Sequence, residues 1–137
     1  MDGFQMNPGY EFLKKGRKPY ASAILRGGRA SLVKGEIFFY DTPLGILMSA
    51  QIEGLPRFNG IYEFDLEGDE RERGTGQTGR CFPFPLVYAR NGKGSASCIS
   101  ETLRRIPLCG HRILLRESRK SLTGQANPIA EGVIQSG

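Results

Sequence analysis

Apolar residues in this chain return at every second position rather than every third or fourth. From Gly45 to Glu53, Ile46, Met48, Ala50 and Ile52 alternate with Leu47, Ser49, Gln51 and Glu53. This is the period of a strand with one face on a core. Residues 59–68 alternate as strictly, with Tyr62, Phe64 and Leu66 on one side and Ile61, Glu63, Asp65 and Glu67 on the other. Residues 21–26 form a short apolar run, and 32–40 are rich in aromatic and β-branched residues. Further strands are predicted over 84–89, 95–99, 113–116 and 129–135. The turn-like Gly54-Leu55-Pro56 falls between these runs, and Asn59-Gly60 opens the run over 59–68. There is no internal repeat and no amphipathic helix. Seven or eight short strands separated by turns predict an all-β sandwich or barrel of about eight antiparallel strands. One domain over 1–137 is expected, with residues 1–19 as a turn-rich N-terminal extension.

Composition supports that reading and narrows the chemistry. Gly and Pro together occupy 27 of 137 positions, about a fifth against an ordinary ~12%, which suits strands and turns rather than a helix bundle. The longest apolar runs fall well short of the ~18 residues of a membrane span. The N-terminus lacks the basic-then-apolar order of a signal peptide. A soluble, cytoplasmic protein with no membrane partner is the expectation. Three cysteines, Cys81, Cys98 and Cys109, have no CxxC spacing and read as reduced, packed thiols. The single histidine, His111, leaves no material for a multi-imidazole metal site or a histidine relay. Cys109 lies two residues from His111, a poor geometry for a nucleophile and its base on a strand.

Charge is unevenly placed. Residues 1–68 carry 8 basic and 8 acidic groups; residues 69–137 carry 11 and 6, which accounts for the net +5. The excess gathers at Arg104, Arg105, Arg112, Arg116, Arg119 and Lys120, with Glu117 the one acidic residue among them. Phosphate backbones are attracted to such a run. It holds no aromatic side chain for stacking bases, however, so a solvated basic face is preferred to a nucleic-acid site. The glycine-rich segment 74–79, Gly-Thr-Gly-Gln-Thr-Gly, fits the GxGxxG spelling. It follows charged residues and precedes Pro83 and Pro85, which is not the strand–turn–helix setting of a dinucleotide site.

Glu63, Asp65 and Glu67 share one face of their strand, neighbours about 7 Å apart. Such a column repels itself unless it is well solvated or a cation lies among the carboxylates. A solvated face, a basic partner and a metal all satisfy that condition. Asp65, Glu67, Asp69 and Glu70 offer oxygens for a hard cation such as Ca²⁺, Mg²⁺ or Mn²⁺, although Arg71 and Arg73 stand close by in sequence.

Several segments, taken in order, resemble the Cu/Zn superoxide dismutase family. They are Ala23-Ile-Leu-Arg-Gly27, Val33-Lys-Gly-Glu-Ile-Phe-Phe39, Ile52-Glu-Gly-Leu-Pro56, Asn91-Gly-Lys-Gly94, Cys109-Gly-His-Arg-Ile-Leu-Leu-Arg116 and Ala130-Glu-Gly-Val-Ile134. The likeness covers roughly residues 20 to 135 and is nearest to the short bacterial members. It implies an immunoglobulin-like Greek-key barrel that pairs face to face as a homodimer.

The same resemblance implies that the ligands are gone. Two copper histidines would fall on Asp65 and Glu67 and a third on Arg116. A zinc histidine would fall near Arg80 and the zinc aspartate near Pro83. The bridging histidine has no counterpart in residues 68–79. Pro128 stands where the arginine that guides superoxide belongs, and Glu131 replaces a late cysteine. Redox copper needs imidazole or sulfur donors in both oxidation states, and one histidine supplies too few in any register. The expectation is therefore a dismutase-like pseudoenzyme with no cofactor, in which Asp65, Glu67 and Arg116 form an ion-paired crosslink where the metal would be. An unidentified protein partner is expected. Altered metal-dependent redox chemistry and anion or nucleic-acid binding through the basic second half are the alternatives.

Overall fold

A computed structural model describes residues 14–57, 59–67, 84–118 and 128–137. It contains nine strands: β1 (Ala21–Arg26), β2 (Lys34–Thr42), β3 (Gly45–Glu53), β4 (Ile61–Glu67), β5 (Val87–Tyr88), β6 (Gly94–Ser100), β7 (Arg112–Glu117), β8 (Pro128–Val133) and β9 (Gln135–Ser136). Among the described residues the one substantial helical element is a single 3-10 turn, Thr102–Arg105.

The strands pair antiparallel in the order β5-β4-β7-β8-β1-β2-β3-β6, with β9 beside β1. The two ends of this order are joined through the tight turn at 90–93, where Arg90 N donates to Lys93 O at 2.7 Å and Lys93 N donates to Arg90 O at 3.1 Å. The sheet is thereby nearly closed into a barrel of eight strands. The hairpin partner of β6 is β5, yet β7 returns beside β4, giving the order 7-4-5-6 that defines a Greek key.

Period two explains the interior. Ala21, Ala23 and Leu25 from β1, Ile37 and Phe39 from β2, Ile113 and Leu115 from β7, and Tyr62, Phe64 and Leu66 from β4 meet in one core. Each large side chain buried there contributes roughly 1.5–3 kcal/mol. β3 departs from the one-sided pattern. Its outward residues Leu47 and Ser49 are as buried as its inward ones. Leu47 stands opposite Tyr40 of β2, itself buried, and Lys14 Nζ lies 6.0 Å from the centre of the Tyr40 ring. Arg17 Nη1 also donates to Asp41 O at 3.2 Å. Lys14 and Arg17 thus reach the outer surface of β2, a contact that alternation alone does not announce.

Strand direction sorts the connections to two poles. Those between β1 and β2, β3 and β4, and β5 and β6 all lie at one pole, with the start of β8. Gly54 holds φ +74° there, and a side chain on it would run into the carbonyl oxygen of Leu32. Leu55 N donates to Gly92 O at 3.0 Å, so the 54–57 and 91–93 turns are tied together over a buried Leu55.

Candidate functional site

The outward face of β4, β7 and β8 carries the expected site residues. Register sets Glu63 opposite Arg116, Asp65 opposite Leu114 and Glu67 opposite Arg112. On the far side of β7, Leu114 faces Glu131 and Arg112 faces Val133. β7 therefore presents Arg112, Leu114 and Arg116 between a column of acids on β4 and Glu131 on β8.

Arg116 and Asp65 are brought together diagonally, Nε to Oδ2 at 3.0 Å, with side-chain exposures of 9% and 32%. Arginine is rarely so buried unless paired, and the carboxylate supplies the compensating charge. The pairing of β7 with β8 also shifts register between Leu115 and Arg116. Such a bulge increases local twist and re-aims the side chain beside it.

Glu67 does not join Arg116 in this pairing. Its carboxylate lies 3.3 Å from Arg112 Nη1, which also approaches Glu131 at 3.7 Å. The three-residue cluster expected from sequence is thus corrected to two ion-paired groups. The reason is register: Glu67 stands four positions along β4 from Glu63, the residue opposite Arg116, or roughly 13 Å at strand rise. Arg112 fills the gap as a cation between two acids. Sequence reasoning passed over it as part of a solvated basic run, although its period-two spacing with Leu114 and Arg116 marks one face.

Arg104 of that run is also paired. Arg104 contacts both carboxylate oxygens of Glu101 at 2.9 Å, Asp41 at 3.2 Å and the carbonyl oxygen of Thr42. Glu117 receives Arg57 Nη1 at 2.6 Å. Arg104, Arg112 and Arg116 each meet an acid on another element, while Arg105 is exposed. Arg119 and Lys120 lie outside the described residues.

His111 precedes β7 and points Nδ1 at the carbonyl oxygen of Glu67, 3.3 Å away. It braces the β4–β7 edge. Among the described residues no three His, Cys, Asp or Glu side chains gather as a metal-ligand set. Arg80 and Pro83, at the expected zinc positions, lie outside the described residues, as do Asp69, Glu70, Cys81 and segment 74–79. Cys98 sits half-buried on β6, and burial pushes its thiol up to about 11 from an ordinary 9.0. Cys109 is exposed.

Copper and zinc do not fit this donor set. The guanidinium of Arg116 is a permanent cation, and it stands 3.0 Å from the carboxylate that would have to ligate. The second carboxylate, Glu67, is directed to Arg112. What the arrangement does chemically is crosslink: Asp65–Arg116 ties β4 to β7, and Arg112 bridges β4 and β8. No protein-family model matches the chain, and no curated protein matches it. Among the described residues no helix is long and apolar enough to cross a membrane.

Proposed function

We propose that this chain is a superoxide dismutase-like barrel whose metal site has become an ion-paired crosslink, and that it works in the cytoplasm as a structural or interaction module without dismutase activity. The observation that carries the reading is the Asp65–Arg116 contact at 3.0 Å. It falls on two of the three positions where the resemblance puts copper histidines. The eight-stranded order that makes β4 and β7 neighbours supports it, because those strands bring the three positions onto one face. The crosslink holds two strands that are distant in sequence, the structural service a metal would render without its chemistry. Fold persists more readily than site chemistry, and function follows the site.

The test is elemental analysis of the purified protein, before and after incubation with copper and zinc, beside a superoxide-consumption assay. The expected result is substoichiometric metal and no consumption above the free-metal control. Stoichiometric copper with turnover would refute the reading.

A further inference from the structure

At the pole where Gly54 packs on Leu32, the turns 27–33, 54–56 and 91–93 and the start of β8 enclose an open groove of about 1150 Å³. Its floor is apolar, formed by the buried Val33 and Leu55 and the half-buried Ile129, and Leu32 stands in its wall 82% exposed. Among the described residues Arg26, Lys34 and Lys93 line it with one acid, Glu53. Glu53 is already engaged by Lys34 at 3.4 Å. Among the described residues Arg26 and Lys93 have no carboxylate partner. The groove continues onto the outer face of β1, β2 and β3 as a second depression of about 590 Å³, which shares Arg26, Lys34, Glu53 and Lys93, adds the exposed acid Glu36 and reaches the 56% exposed Ile24.

We propose that this groove binds an extended acidic segment of a partner protein, in which carboxylates alternate with apolar side chains. Three features select that ligand. Two cations with no carboxylate partner among the described residues, beside exposed aliphatic side chains, match acids interleaved with apolar residues. The joined depressions exceed the ~300–1,000 Å³ of ordinary small-molecule pockets and run along the surface instead of closing. Among the described residues no aromatic side chain lines either depression, so these residues offer no stacking platform of the kind a single-stranded nucleic acid uses.

The walls are also fixed in advance. Gly27 N donates to Val33 O at 2.9 Å, Ser31 N to Gly28 O at 3.0 Å and Leu55 N to Gly92 O at 3.0 Å. Val33 N is held by Ser31 Oγ at 3.1 Å. A ligand entering such a site orders little of the protein, which lowers the entropic cost of binding. None of Asp65, Glu67, Arg112 or Arg116 lines the groove, so metal analysis and peptide binding succeed or fail separately.

The test is fluorescence anisotropy on the full chain with a fluorescein-labelled peptide of about ten residues alternating Glu and Leu. Binding is expected to weaken about tenfold or more in the Arg26→Glu, Lys93→Glu double variant, and to weaken in Leu32→Ser. Both variants alter exposed side chains, and thermal unfolding checks that they retain the fold. Equal affinity of wild type and double variant, or no binding of the Glu/Leu peptide, would overturn the proposal. So would an oligothymidylate of about ten nucleotides that binds as tightly as the peptide and is lost in the same double variant.

Discussion

Among the described residues Arg116 is the one charged side chain that is buried. Replacing it with alanine strands the Asp65 carboxylate on a face already crowded by Glu63. A fully buried pair broken this way costs about 3–5 kcal/mol. Asp65 retains 32% exposure, and water screens part of the loss, so Arg116→Ala is expected to cost about 1–3 kcal/mol. Arg112 is half-exposed beside half-exposed acids, and Arg112→Ala is expected to cost about 0–1 kcal/mol. Urea unfolding midpoints compare the two directly; equal losses would contradict the difference in burial.

Cys98 gives a pH dependence of defined sign. The folded chain keeps a proton, up to about 11, that the unfolded chain sheds near 9.0. Stability conferred by the buried thiol is therefore complete below pH 9 and lost as pH rises toward 11, by about 1–2 kcal/mol for a half-buried group. Tyr20 acts in the same direction at still higher pH: burial first, then Cys109 and Asp41, raise its hydroxyl above 10.0 against the pull of Arg104. Unfolding measured from pH 8 to 11 should show less of this decline in Cys98→Ala than in the wild type. An identical decline would show that other groups cause it.

At the level of elements, β1 and β3 were legible to their end residues because alternation and flanking glycines fix both face and length. β2 begins two residues later than its aromatic content suggests, since Leu32 and Val33 serve the groove turn. Of the strand expected over 84–89 only Val87–Tyr88 remains. Pro85 has no N–H to donate to a ladder, and the sequence carried that signal. The burial of Leu47 and Ser49 was not legible, because alternation puts both on the face away from the core. The ion-pair ladder was half legible: the acidic column on β4 stood out, but Glu67 could be assigned to Arg112 only once the β4–β7 register was known. Gly54 shows how tightly the turns constrain their ends. Gly54→Ala combines an unfavourable φ with contact against Leu32, and a loss of more than about 2 kcal/mol is expected. Chemical unfolding measures it, and an unchanged midpoint would show that the 32–33 and 54–55 turns do not pack as described.

For the whole molecule, Greek-key order brings strands 50 residues apart in sequence onto one charged face and gathers short turns into a preformed groove at one pole. β4 and β7 pair along six residues. The residues there hold this seam with opposite charges, in a place where the resemblance would have copper hold it. A barrel pinned by metal loses stability when stripped and regains it on loading; one pinned by Asp65 and Arg116 does not. Thermal unfolding of the chelator-treated protein, repeated with one equivalent each of copper and zinc, separates the two. The same unfolding midpoint with and without metal is the result expected here. A midpoint that falls by many degrees on chelation and returns with copper would contradict it.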